Sequence, residues 1–157
     1  MSQKSLSAAQ YILNRARMTG DPSLTPMQLL KLVYIAHGYM LGVYGRPLLN
    51  EAVEAWQYGP VVPSLYHQIK TYRSSPVAAV PGITEQVQFD QQEQQVLDFV
   101  TQVYGRHNGI VLSAATHQPG TPWQQTWSRF GKNAPISNDL IEAFYANLRS
   151  SPSHYAL

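Results

Sequence analysis

The sequence predicts a mainly α fold: a compact single-domain bundle of about six or seven helices around a central apolar helix, with at most a short two-stranded β element. Three observations predict it. The stretch Leu29 to Leu41 is apolar nearly all round, the pattern of a helix buried in the middle of a domain. Apolar residues recur at helical spacing in the segments on either side of it. Capping residues, prolines and glycines punctuate those segments where helices should begin and end. With 157 residues, 44% of them hydrophobic, one sizeable core is the expectation.

Taken in order, Ser7 with Gln10 three residues on reads as a capping box that opens a first helix running to about Met18, its inner face carrying Ala8, Ala9, Tyr11, Ile12, Leu13 and Ala16. Gly20-Asp21-Pro22-Ser23 ends it. The central helix has Thr25 as cap, Pro26 in the first turn and Gln28 completing a second capping box. His37 shares a face with Leu30, Val33, Met40, Leu41 and Tyr44; Gln28, Lys31, Ile35, Gly38 and Gly42 fall together on the other. Gly38 and Gly42, four apart, make a shallow groove for another backbone or a ring, or for Trp56 or a partner; alternatively Gly42 marks fraying. Gly45-Arg46-Pro47 is a turn, and Leu48 to Trp56 reads as a short extended segment. Gly59-Pro60 interrupts the chain, and Pro63 opens a third helix to about Tyr72 with Leu65, Tyr66, Ile69 and Tyr72 on one side. Arg73 to Gly82 reads as an exposed, flexible loop, and Thr84 to Phe89 as a second strand paired near Val53. Asp90 and Glu93 form another capping box, starting a helix that turns Val96, Leu97, Val100, Val103 and Tyr104 inward and stops at Gly105. Asn108-Gly109 leads into a short helix, about Ile110 to His117. Pro122 opens the next, and Ser137 the last, with Ile136 and Ile141 as a hydrophobic staple. Residues 1–150 form the domain and 151–157 a flexible tail.

Composition excludes more than it identifies. The net charge is +2 and only 13% of residues are charged, with no Lys or Arg run, so nucleic acid is not an expected partner. Absence of cysteine removes disulfides, thiolate catalysis and cysteine-ligated zinc, and favours a cytoplasmic setting. No stretch is apolar for long enough to cross a membrane, and no secretory leader is visible. The five histidines show no metal-ligand spacing, and neither a phosphate-binding glycine loop nor a nucleophile elbow occurs. No metal, cofactor or catalytic residue is therefore expected. His37 reads as a core histidine with one satisfied hydrogen bond. Lys31 reads either as a stem with an exposed ammonium, the favoured reading, or as a buried charge paired with a carboxylate such as Glu54. Ten tyrosines and three tryptophans are the abundant resource, for core filling or for contact with a partner.

Three blocks of residues then point to a family. They are Leu24-Thr25 through Met40, centred on Lys31-Leu32-Val33-Tyr34; Ala55-Trp56-Gln57-Tyr58-Gly59-Pro60-Val61 followed by Leu65-Tyr66; and Leu112-Ser113 through Thr116-His117 leading to Pro122-Trp123. In this order they resemble the Panacea domain, the SocA-like antitoxin fold related to phage-associated GepA proteins, over roughly Ser5 to Leu148. The resemblance implies a non-enzymatic antitoxin that neutralises a cognate protein toxin by direct binding, in some members as an adaptor to a protease. It marks Lys31, Tyr34, Trp56, Tyr58, His117 and Trp123 as distinctive positions, either partner-binding or fold-defining. One alternative is a phage or mobile-element protein that binds a host defence component. Another is a small hydrolase or nuclease using His117 and Lys31.

Overall fold

The computed structural model describes residues 3–20 and 23–149. Seven helices and a three-stranded sheet follow one another as α1 (Lys4–Met18), α2 (Pro26–Tyr44), β1 (Glu54–Trp56), β2 (Gly59–Val61), α3 (Pro63–Ile69, extended by a 3-10 turn, Lys70–Tyr72), α4 (Gln91–Tyr104), α5 (Gly109–Thr116), α6 (Pro122–Phe130), β3 (Ala134–Pro135) and α7 (Asn138–Arg149). The mainly α reading holds, as does the central helix.

α2 forms because its start is fixed locally and its sides are covered tertiarily. Thr25 and Gln28 make both halves of the capping box, Pro26 sits at the first turn, and Gly45 closes the helix in the left-handed conformation at φ 70°. Helices α1, α4, α5 and α7 pack around it. Leu29, Leu32, Val33, Ala36 and Met40 are fully buried, each of the larger ones contributing about 1.5–3 kcal/mol of hydrophobic stabilisation. The groove at Gly38 and Gly42 is filled by α7: a Cβ at Gly38 would collide with the Tyr145 ring, and one at Gly42 would stand 2.7 Å from the Ala146 backbone nitrogen. Both glycines therefore serve close packing, and α7 rather than Trp56 fills the groove between them.

His37 ties the start of α7 to α2. Its Nδ1 accepts from the Leu49 backbone N–H at 3.3 Å, so the proton resides on Nε2, which donates to Asn138 Oδ1 at 3.0 Å. Both ring nitrogens are used, one more than expected, and burial, the largest influence, holds the imidazole pKa below its ordinary value.

In the sheet β1 is central, with β2 and β3 antiparallel on either side. Ala55 faces Pro60 and Trp56 faces Gly59, so the chain reverses through Gln57 and Tyr58. Gly59 has φ 123°, a conformation that glycine alone adopts without strain.

Four expectations need correction. Ser7 lies inside α1, whose N-cap is Gln3 without a side-chain bond; the Ser7 hydroxyl accepts from Val87 N–H and Gln10 Oε1 from Val80 N–H. Thr84 to Phe89 forms no strand, because both sides of β1 are already taken. Gly59-Pro60 is itself strand rather than interruption. The 73–82 segment is exposed at most positions but buries Val77 and Val80, and Val77 N–H donates to Leu24 O at 2.8 Å. The expected breaks at Asp21 and Pro22 and the tail 151–157 lie outside the described residues. The capping box of Asp90 and Glu93 forms in both directions, and Ile136 and Ile141 are both buried at the start of α7.

Gly42→Ala should lower stability by about 1–3 kcal/mol despite the better helix propensity of alanine, because backbone cannot move aside. Gly38→Ala should cost at least as much, since the Tyr145 ring that its Cβ would strike is itself buried and packed against Tyr34, Tyr39 and Phe144. Thermal melts of the two variants check both losses, and an unchanged melting temperature for either would contradict the close packing.

Candidate functional site: a clamped hairpin and its groove

A two-stranded hairpin of three-residue strands is too short to stand alone, and here three helices hold it by its carbonyls. Trp123 Nε1 on α6 donates to Trp56 O at 2.6 Å. Ser113 Oγ on α5 donates to Tyr58 O at 2.6 Å. Lys31 Nζ on α2 donates to Pro60 O at 2.9 Å. Alternate residues of the reversal are thus fixed through their backbone, and their side chains are left to other uses.

Lys31 is only 2% exposed, which overturns the snorkelling reading. Its bonded acceptor is the Pro60 carbonyl and, among the described residues, it forms no ion pair; Glu54 instead accepts from Trp56 Nε1 at 2.9 Å. Burial pushes its pKa down to about 7. The ammonium also lies close to Gly59, where a Cβ would sit 3.0 Å from Nζ and 3.4 Å from Thr116 Oγ1. Glycine at position 59 is therefore required twice, by its φ and by the lysine beneath it.

Lys31, Trp56 and Tyr58 meet at one groove, a cavity of about 430 Å³ also lined by Met27, Leu30 and Tyr66. Trp56 packs edge-on to Tyr66 with ring centroids 5.0 Å apart. Tyr58, at the hairpin tip, is 66% exposed.

Tyr34 goes elsewhere. It lines a larger cavity of about 690 Å³ with Phe144, Tyr145, Leu148, Thr116 and Pro122, and among the described residues no charged side chain lines that space. Its ring is edge-on to Tyr145 at 6.1 Å, and its hydroxyl is buried without a hydrogen-bond partner among the described residues. Burial raises its pKa, keeping the hydroxyl protonated.

Trp123 and His117 serve the frame. Trp123 stacks on Trp127 at 5.1 Å, and His117, which closes α5, lies edge-on to Trp123 at 5.3 Å. His117 lines neither apolar cavity, its Nδ1 is buried without a partner, and no hydrogen bond or ion pair joins it to Lys31 or a carboxylate among the described residues. No cluster of three His, Asp or Glu residues that could hold a metal occurs among the described residues. Sequence reading missed Ser113 as a carbonyl donor and the basic rim of the groove, Lys70, Arg73 and Lys132; the spacing of Lys70 and Arg73, three apart at the end of α3, was the available signal.

Fold and site together define a mainly helical domain that clamps a short hairpin against a buried lysine and displays aromatic side chains beside it. Comparison with known sequences places that architecture: the family model for the SocA-like antitoxin, Panacea domain, matches residues 29–124, which hold the central helix, the hairpin motif and the His117–Trp123 block. The chain belongs to this family. It is 30% identical over 126 residues to the antitoxin SocA of Caulobacter vibrioides (strain NA1000 / CB15N), an alignment covering 74% of this chain and 66% of the relative. The chain therefore spans just under two thirds of that relative's length. No solved structure matches. No helix among the described residues is long and apolar enough to cross a membrane.

Two substitutions test the buried polar groups. The folded pKa of Lys31, about 7, lies below its unfolded value, so between the two the unfolded chain binds the extra proton and stability rises with pH, by at most about 1.4 kcal/mol per pH unit. Urea titrations from pH 7 to 9.5, below the tyrosine range, should show this slope in the native chain and its loss in Lys31→Met; an unchanged slope would refute the assignment. Tyr34→Phe removes an unpaired buried hydroxyl and should raise stability by about 1 kcal/mol, read as a higher urea midpoint; a clear loss would mean that the hydroxyl has a partner.

Proposed function

We propose that this chain is a non-enzymatic antitoxin that neutralises a cognate protein toxin by direct binding, with the groove beside the Trp56–Pro60 hairpin as the contact surface. The match of the family model over residues 29–124 carries the reading. Similarity to a protein named antitoxin SocA supports it. The groove supports its placement: an exposed tyrosine next to a half-buried tryptophan on a rigid backbone offers large contact area at small cost in conformational entropy. Neutralisation by binding needs only such a surface, and no catalytic group has to be assembled. We assign the action to the cytoplasm, where both partners are made, and count delivery of the toxin to a protease as a second mode open to the same surface.

Co-expression with the adjacent reading frame tests this. The neighbour alone should arrest growth, the native chain should restore it, and Tyr58→Ser should restore it less well, with binding weakened about tenfold or more, the loss of a hot-spot residue. Toxin level measured in the same cells separates the modes: unchanged for blocking, falling for delivery to a protease. Failure of the chain to relieve any toxic neighbour would refute the antitoxin reading.

A further inference from the structure

The groove beside the hairpin carries a charge pattern that the aromatic residues do not explain. Its floor is apolar, with Trp56 and Tyr66 in edge contact. Its rim holds Lys70, Arg73 and Lys132, all exposed, and among the described residues no carboxylate lines it. The closest acid in sequence, Glu54, has an oxygen engaged by the Trp56 indole N–H. Every ion pair among the described residues is elsewhere, at Lys4, Arg15 and Arg46. In a chain of net charge +2, three rim cations without a paired acid are a local concentration of positive charge, and such a rim selects a partner of opposite sign.

A second observation falls at the same place. Among the described residues only Arg73 and Asn133 are non-glycine residues with positive φ, 57° and 65°, and both line this groove. Arg73 has ψ −114°, well outside the left-handed helical region. Backbone held in sparsely populated regions gathers at ligand-binding surfaces, and here it occurs at two residues that line one cleft.

We propose that the groove receives a short acidic segment of the protein partner, with an apolar side chain on the Trp56–Tyr66 floor and flanking carboxylates on Lys70, Arg73 and Lys132. The inference rests on the antitoxin reading and specifies the chemistry of the toxin surface. A cavity of about 430 Å³ admits one large side chain, and arginine offers a carboxylate two parallel hydrogen bonds. Nucleic acid is the less favoured match for the rim, because three cations around an apolar floor do not make a phosphate track.

The test uses the full chain and three labelled peptides in fluorescence anisotropy: Gly-Asp-Glu-Phe-Asp-Glu-Gly, its amide counterpart Gly-Asn-Gln-Phe-Asn-Gln-Gly, and the acidic peptide with alanine for phenylalanine. The acidic phenylalanine peptide should bind saturably, about tenfold or more tighter than either control, and weaken in raised salt. Lys70→Glu with Lys132→Glu, and separately Lys132→Gln, should weaken it, the double variant more, with circular dichroism showing that the fold is intact. Equal binding of acidic and amide peptides, absence of saturable binding, or tighter binding of a short thymidine oligonucleotide would overturn the proposal. Toxin rescue lost in Tyr58→Ser but kept in the Lys70→Glu, Lys132→Glu chain would overturn the acidic-segment inference while leaving the antitoxin reading in place. Failure of the native chain to rescue would instead refute that reading, whatever the peptides do.

Discussion

The hydrogen bond from Lys31 Nζ to the Pro60 carbonyl at 2.9 Å is the contact on which the rest of the site depends. It places an amine on the buried central helix, where desolvation alone brings the pKa to about 7, and it leaves that group with a neutral acceptor rather than a carboxylate. Taken alone this arrangement opposes stability. It persists because the hairpin needs it: β2 is an edge strand, and an edge carbonyl without a partner, buried against helices, is itself unfavourable. Lysine is long enough to reach that carbonyl from α2. Gly59 leaves the room for it to do so.

The same bond finishes the edge of the sheet. Pro60 has no N–H to offer, and its carbonyl is already occupied, so the outer side of β2 presents no pair of groups on which another strand can extend the sheet. The proposed partner would therefore meet β2 through side chains, by the aromatic floor and the basic rim, rather than by strand addition. Ser113 and Trp123 extend the logic to Tyr58 O and Trp56 O. Helices α2, α5 and α6 each contribute one donor. The spacing of the hairpin carbonyls thereby sets the spacing of the helices, and the helices fix the hairpin.

What the sequence discloses and what it hides divide along locality. The capping boxes at Thr25–Gln28 and Asp90–Glu93 are legible because donor and acceptor lie three residues apart and fold together. The same pattern at Ser7–Gln10 misleads, since both side chains are drawn to the backbone of the distant 80–87 segment; a capping pair is decisive only when nothing further away competes for it. The hairpin hides because Gln57-Tyr58 carries no turn signal, the reversal being completed by Gly59 and held from outside. Lys31 is legible as an anomaly on an apolar helix, yet its acceptor is a backbone carbonyl 29 residues away, and side-chain pairing rules search only for carboxylates. The glycine pair on α2 is readable as a groove, whereas its occupant, α7, is fixed by tertiary packing.

Trp56 and Tyr58 serve the fold through their backbone carbonyls, and the proposed contact with a partner falls to their side chains. Trp56 supplies its carbonyl to Trp123 and its ring to the groove. Tyr58 supplies its carbonyl to Ser113 while its ring stands 66% exposed. Any residue that can follow the backbone path supplies the same carbonyl, so side chains at the hairpin tip can change without loosening the clamp. Lys31, Gly59 and Trp123 lack that freedom, because their own atoms form the clamp or make room for it. On the proposed reading, the part that must stay constant is thus separate from the part that can be altered, and the chemistry of recognition can vary while the clamp is kept.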